Sequence, residues 1–278
     1  MLTNVTDSRD VAAGHARVGV AAFFDLDKTV IARSSALAFS RPFFQSGLIN
    51  RRAVLKSAYA QFVFASSGVD ADQVERMRAH LTALCAGWEV RQVRSIVEET
   101  LHDIVDPLVY AEAAELIADH RAKGHDVVVI SASGEEIVGP IADMIGATDS
   151  VGTRMVAVDG RYTGDMDFYC YGQQKAAAMK QLAAERAYDL DACSAYSDSI
   201  SDLPMLEAVG HPTVVNPDRA LRAAAFERGW PVLTFSKPVS LRSRFPAPSG
   251  AAVATAIGIG AIATAGATWY GLHRRRRR

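Results

Sequence analysis

Cysteine is scarce in this chain. Cys85, Cys170 and Cys193 are the only three in 278 residues. They are odd in number, far apart and without zinc-type spacing, which argues against a disulfide framework or a cysteine metal ribbon. They read as buried thiols of a reducing compartment. An excess of positive charge is also missing. The net charge is −1, and five of the positive charges are Arg274 to Arg278, so the rest of the chain carries −6. Such a balance offers no nucleic-acid surface, and no nucleic-acid partner is expected. Residues 1–17 contain no apolar run that could act as a signal segment. They are expected to be a disordered lead-in to a cytoplasmic catalytic body. Residues 33–104 show no alternating strand pattern.

Against these absences stands a chain that is 49% hydrophobic, enough for a sizeable core. Its organising stretch is Val18 to Thr29. A short apolar run, of the kind buried on both faces of a sheet, ends in Asp25-Leu-Asp27-Lys-Thr29. In open α/β sheets ligands bind beyond the carboxyl ends of the strands. Two carboxylates and a hydroxyl there can offer a nucleophile, an acid/base partner and part of a cation site. Taken alone, the same residues also suit a strand followed by an Asx turn.

Strands and helices then alternate, which predicts a Rossmann-like, doubly wound, mostly parallel sheet. Ser34 or Ser35 caps a helix expected to run through Phe44, and helical periodicity returns from Arg51 to Ala65. Further helices are predicted from Asp70 to Cys85 and from Glu89 to Leu101. Another is expected from Asp106-Pro107, with its acidic cap and first-turn proline, to Lys123. Asp126 to Ile130 reads as a second buried strand. About a hundred residues separate the two strands, whereas a parallel crossover needs a dozen or so. The excess, residues 33–104, is predicted to be a helical insertion above the carboxyl end of the first strand. Asp159-Gly160 marks a hairpin turn. Later elements are expected as a helix at 173–186, a strand at 193–196, a helix at 202–209, a strand at 211–215, a helix at 217–228 and an edge strand at 230–234. The core domain is thus residues 18–32 plus 105–235.

Three more strand ends carry polar groups suited to phosphate. Ser131 follows Ile130 at the mouth of a helix, where a hydroxyl and free N–H groups can cradle an anion. Lys175 opens another helix, an unfavourable place for a cation unless an anion is to be bound. Asp198-Ser-Ile-Ser-Asp202 puts two carboxylates around a strand-to-helix turn. Each has a plainer reading alone: a strand-terminal serine, a solvated lysine, an N-cap aspartate.

Taken together, Asp25-Leu-Asp27-Lys-Thr29, Ser131, Lys175 and Asp198 with Asp202 resemble, in order and spacing, the four motifs of the haloacid dehalogenase (HAD) superfamily. The helical insertion resembles the C1 cap of its phosphoserine-phosphatase-like branch. Asp159 to Gly164 and Cys170-Tyr-Gly are similar to subfamily IB hydrolases. The likeness covers residues 18–235 and implies a phosphomonoesterase. Asp25 would be the nucleophile that forms an aspartyl-phosphate, and Asp27 the general acid and then base. Ser131 and Lys175 would hold phosphate oxygens. Asp25, the Asp27 carbonyl and Asp198 would bind Mg2+. Asp202 would orient Lys175 or a water on the ion, and Thr29 would shape the loop.

One departure bears on substrate. Phosphoserine phosphatases carry a Glu seven residues after the general acid, and here that position is Ser34, with no acid between Thr29 and Asp70. An arginine of the cap usually meets the substrate carboxylate; Arg41, Arg51 and Arg52 are candidates. The cap offers Phe39, Phe43, Phe44, Tyr59, Phe62 and Phe64 instead, which are either core or an apolar lining. A small-molecule or lipid phosphate is the expected substrate. The alternatives are phosphoserine itself, or a catalytically silent, membrane-associated regulatory protein with this fold.

After a linker at 236–250, residues 251–270 carry no charge and are long enough to span a bilayer core. They are rich in Ala, Gly and Thr and end in Trp269-Tyr270. Residues 251–272 are predicted to be a transmembrane or membrane-surface helix, with residues 273–278 as a basic tail. The body would thereby be attached to the cell membrane.

Overall fold

The computed structural model describes residues 19–49, 75, 78, 79 and 82–238. The lead-in, the predicted helix at 51–65, the capping box at Asp70 and the whole C-terminal tail lie outside the described residues. Seven strands form one sheet: β1 (Ala21–Phe24), β2 (Asp126–Gly134), β3 (Asp149–Val158), β4 (Arg161–Phe168), β5 (Ser194–Ser197), β6 (His211–Val215) and β7 (Val232–Leu233). Their order is β4-β3-β2-β1-β5-β6-β7. Only the β3–β4 pair, the predicted hairpin, is antiparallel.

β1 lies in the middle, and its side chains divide with the pleat. Ala22 and Phe24 enter one apolar cluster; Ala21 and Phe23 enter the other. Val127 and Val129 of β2 follow the first pair, Val128 and Ile130 the second. Hence both strands read as unbroken apolar runs. Over the first face lie α3 (Val90–Val105), α4 (Ala111–Ala122) and α5 (Glu135–Met144); over the second lie α6 (Gln173–Arg186), α7 (Leu203–Leu206) and α8 (Arg219–Arg228).

Between β1 and β2 the described chain adds α1 (Ser35–Ala38), α2 (Ser40–Gln45), a helical stretch at 82–85 and α3. Phe39 and Phe43 are buried in the first cluster with Val93 and Val97 of α3. For these two rings the core reading is the correct one. Trp88 packs against Phe43 with ring centroids 5.8 Å apart.

Several expected elements differ in detail. The single helix predicted through Phe44 is broken at Phe39, and the Ser34 hydroxyl makes no capping bond to it. The helix expected from Asp106 starts at Ala111. Asp106–Leu108 is one 3-10 turn, and Val109 and Tyr110 are extended. The cause is tertiary: here the chain returns from the insertion beside the outgoing strand. Ala32 N–H donates to Leu108 O at 2.8 Å and Tyr110 N–H to Val30 O at 3.0 Å, which helical backbone would forbid. The helix begun at Glu89 runs on to Val105, and β2 runs on to Gly134. The helix expected from Asp202 is a 3-10 turn (Ile200–Asp202) followed by α7. Among the described residues no helix is long and apolar enough to cross a membrane.

One buried titratable residue sits in the first cluster, away from the strand ends. His120 of α4 is 5% exposed. Its Nε2 lies 2.8 Å from the Tyr196 hydroxyl and its Nδ1 3.0 Å from His125 Nδ1. Burial, with His125 and Lys123 adding and Asp119 opposing, pushes His120 down to about 4. The unfolded chain therefore binds a proton that the folded chain refuses between pH 6.5 and 4. Stability is fully present above pH 6.5 and is lost as pH falls through that window, by about 3 kcal/mol in all. Urea midpoints measured from pH 7 to pH 4 should fall less steeply for His120→Gln than for the parent chain.

Candidate functional site

Leu26 ends the buried run of β1, and the next residues turn. Lys28 takes a left-handed φ of 63°, and Val30 and Ile31 N–H groups both close onto Leu26 O at 3.0 Å. The tight loop leaves Asp25 buried at the strand's end and Asp27 partly buried just beyond it. β5 stops one residue beyond this level, at Ser197, whereas β2 runs on past it to Gly134. Asp25 N–H donates to Tyr196 O at 2.9 Å, and Phe24 pairs with Val129 of β2. Two residues further on in each neighbour stand Asp198 and Ser131, beside the β1 loop.

Lys175 reaches this point from α6. Gly172, the residue before the helix, has φ 55° and ψ −121°, a turn that a side chain at that position would disfavour. The lysine ammonium is 2.6 Å from Asp25 Oδ1 and 2.8 Å from Asp202 Oδ2. Ser197 Oγ donates to the same Asp202 oxygen at 2.7 Å, and Thr29 Oγ1 donates to Asp25 Oδ2 at 3.3 Å. Asp27 Oδ1 accepts from Ser35 N–H at 2.9 Å. Ser131 is 1% exposed, and its Oγ accepts from Ser133 N–H at 3.2 Å at the mouth of α5. Gly152 permits that mouth to form, since a Cβ there would stand 2.7 Å from the Glu135 Cα.

Six of the seven predicted residues, Asp25, Asp27, Thr29, Lys175, Asp198 and Asp202, are thus joined by contacts or by their mutual fields, and Ser131, expected at a strand end, lies inside β2 two residues beyond the partner of Phe24. Burial pushes Asp25 up to about 7; Lys175 opposes this, and Asp202 and Asp27 add to it. Asp198 is pushed up to about 8 by burial and by Asp25, with Lys28 opposing. Burial also raises Asp27, partly offset by hydrogen bonds from Ser35 and Ser34. For Lys175, burial disfavours the charge, but Asp202 and Asp25 outweigh it and hold the ammonium above the usual lysine range.

Four carboxyl groups here face two lysines, Lys28 and Lys175, and the raised Asp25 and Asp198 show that two cations do not fully offset their charge. Asp202 Oδ1 is buried with no hydrogen-bond partner. Among the described residues no three His, Cys, Asp or Glu side chains gather as a metal-ligand group. That pattern suits a hard divalent cation taking two carboxylates and a carbonyl, with substrate and water completing its shell.

Sequence reasoning missed several participants. Ser197 lies inside the short strand before Asp198, and its Oγ is turned to Asp202 rather than to a core neighbour. Ser35 and Ser133 meet with hydroxyls 2.7 Å apart, a contact across 98 positions that no local pattern announces. Asp218 falls inside the helix expected at 217–228, which the structure begins only at Arg219.

If the lysine is what makes two buried carboxylates tolerable, its loss should be costly. Lys175→Met should destabilise the protein by about 3 kcal/mol at pH 8. With the cation gone, the raised Asp25 binds a proton in the folded state. The deficit should therefore grow as pH rises from about 4 through 8 and shrink toward pH 5, as read from paired urea melts.

Residues 22–207 match the family model described as haloacid dehalogenase-like hydrolase. A Mycobacterium tuberculosis protein named a probable phosphatase is 68% identical over 261 residues, covering 93% of this chain and 91% of its own. The inhibition of morphological differentiation protein of Streptomyces azureus is 57% identical, covering 94% of this chain and 96% of its own. A solved phosphoserine phosphatase carrying an analogue of its phospho-aspartyl intermediate superposes with a TM-score of 0.58 at 15% identity. That likeness in fold covers 82% of this chain and 98% of the other. With Asp25, Lys175, Asp198 and Asp202 gathered in one place and its matches across most of its length, the chain belongs to the haloacid dehalogenase-like hydrolases and is a phosphatase of that family.

Proposed function

We propose that the protein is a Mg2+-dependent phosphomonoesterase working through an aspartyl-phosphate on Asp25. The observation that carries this reading is the Lys175 ammonium, set between Asp25 and Asp202 with Asp198 and Asp27 alongside. The Asp25 carboxylate attacks phosphorus from the end of β1, and the bond from phosphorus to the leaving oxygen breaks. Asp27, whose carboxyl is raised by burial, gives its proton to that oxygen. It then takes a proton from the water that attacks the aspartyl-phosphate, and the bond from Asp25 to phosphorus breaks. Lys175 and Ser131 hold the non-bridging oxygens, where charge is spread in the transition state. Mg2+, held by the Asp25 and Asp198 carboxylates and the Asp27 carbonyl, would relieve the repulsion between carboxylate and phosphate.

Asp25→Asn should reduce turnover by at least about 10⁴-fold, Asp27→Asn by about 10²–10⁴-fold and Ser131→Ala by about 10²-fold. EDTA should abolish release of inorganic phosphate from a phosphate ester, and added Mg2+ should restore it. Full activity in Asp25→Asn would sink the mechanism.

For substrate, we favour a phosphate ester without a free ammonium group. Ser34 stands where phosphoserine phosphatases place their ammonium-binding Glu, and its hydroxyl is directed to Asp27. Residues 33–104 are assigned as the cap over the mouth. Residues 251–270, without a charge, are assigned as a membrane anchor that brings the site to membrane-bound or lipid phosphates. In support, the last described residue, Pro238, pairs with Tyr110 beside the β1 loop, so the tail departs from the site's end of the sheet. Lysophosphatidate should be hydrolysed faster than free phosphoserine. Truncation after residue 245 should move the protein from the membrane pellet to the supernatant; equal partition of both forms would remove the anchor.

A further inference from the structure

Asp218 stands outside the four strand-end motifs, in the turn between β6 and α8. One of its oxygens does what an aspartate before a helix is expected to do: Oδ1 accepts from Leu221 N–H at 2.7 Å and caps α8. The other does not go to the helix. Oδ2 accepts from Ile200 N–H at 2.8 Å, two residues beyond Asp198. In addition, the Asp218 N–H donates to the Asp198 carbonyl at 2.8 Å. A single residue thus grips the Asp198 loop twice, at the Asp198 carbonyl and two residues on at the Ile200 N–H.

That grip matters because little else aims Asp198. Among the described residues, no side-chain hydrogen bond to its carboxylate accompanies the repulsion from Asp25 and Asp202. A buried carboxylate that is repelled by its neighbours turns away unless its backbone is fixed. The fixing turn is itself anchored. Asn216 takes a left-handed φ of 43°, its amide nitrogen donates to Phe235 O at 2.9 Å, and its amide oxygen accepts from Phe235 N–H at 3.0 Å. Pro217 between them is buried. The Asp198 loop is therefore tied through Asp218 to the edge of the sheet.

We infer that Asp218 is a positioning residue for the cation site, holding the Asp198 carboxylate at its ligand position from beneath the loop. This rests on the proposed role of Asp198 as a cation ligand. The carboxylate form is required, since two N–H groups on different elements must be accepted at once. An amide at this position has a single oxygen acceptor and would set its NH2 against one of them.

The test uses the full chain with Asp218→Ser and Asp218→Asn. Serine is a good helix cap but is too short to reach Ile200 while capping α8, so it separates the two tasks. The readouts are the melting temperature without divalent ions, and the Mg2+ concentration giving half of the Mg2+-dependent rise in melting temperature. Calorimetric titration with Mg2+ alone provides the binding constant. Asp218→Ser should melt within a few degrees of the parent without Mg2+ yet need about 10–100-fold more Mg2+ at its midpoint. Its kcat should largely return at saturating Mg2+. Asp218→Asn should shift the midpoint in the same direction. A lowered ion-free melting temperature with an unchanged Mg2+ midpoint in both variants would show a merely structural cap and overturn the inference. Absence of any Mg2+ response in the parent chain would instead overturn the proposed cation site itself.

Discussion

A single ammonium group makes the rest of this site possible. Lys175 is 3% exposed, and its two partners Asp25 and Asp202 are 6% and 2% exposed. Removing two carboxylates from water costs several kcal/mol each unless a cation and hydrogen bonds compensate. Here the lysine contacts both, Ser197 and Thr29 add hydroxyl donors, and the backbone N–H of Asp25 is satisfied by β5. The balance is deliberately incomplete in one respect. Among the described residues the Asp198 carboxyl and one oxygen of Asp202 have no hydrogen-bond donor, so the cluster is held together yet not fully compensated.

The sheet supplies the geometry in which such a cluster can form. Parallel strands end on one side together, and β2, β1 and β5 are adjacent in the middle. Residues more than a hundred positions apart in the chain are thereby delivered to one level by strand register alone. The apolar halves of the same strands fill two clusters on opposite faces. A shift of one residue in β1 would exchange those faces and withdraw Asp25 from Lys175. Core packing and site geometry therefore specify the same register, and neither can drift without the other.

Much of this was legible because the signals are local. Buried strands announce themselves as apolar runs, and β1, β2 and β6 lie where those runs fall. Gln173–Arg186 is the predicted helix to the residue. Asp25, Ser131 and Asp198 are polar groups just after such runs, whereas Lys175 and Asp202 could be named only because all of them together resemble one family's motifs. What was not legible depends on pairs distant in sequence. Asp106-Pro107 is a sound helix start by local rules, yet Val109 and Tyr110 stay extended because Val30 and Ile31 need partners. Ser34 satisfies the rule for a cap, but its hydroxyl turns to Asp27 instead. Asp218 fell inside the helix expected at 217–228, and only the fold reveals it as the cap of α8 with Ile200 at its other oxygen.

The same distant pairing limits how the inserted helices can move. The tip of the β3–β4 hairpin reaches over to residues 87–90. Gly87 N–H donates to Tyr162 O at 2.8 Å, Tyr162 N–H to Trp88 O at 3.0 Å, and Val90 N–H to Gly160 O at 3.0 Å. Arg161 adds a bond to the Gly87 carbonyl and an ion pair with Glu89. At the other end of α3, the chain is stitched to Ala32 and Val30. Carrying α3 away from the core would break these backbone bonds and expose Val97, Leu101 and Val105, which are buried in the first cluster. At about 1 kcal/mol for each bond and more for each side chain, that cost approaches the whole stability of a domain. α3 is thus a fixed wall of the structure. The chain that leaves β1 is tied to the site directly instead, because Ser35 N–H is held by the Asp27 carboxylate.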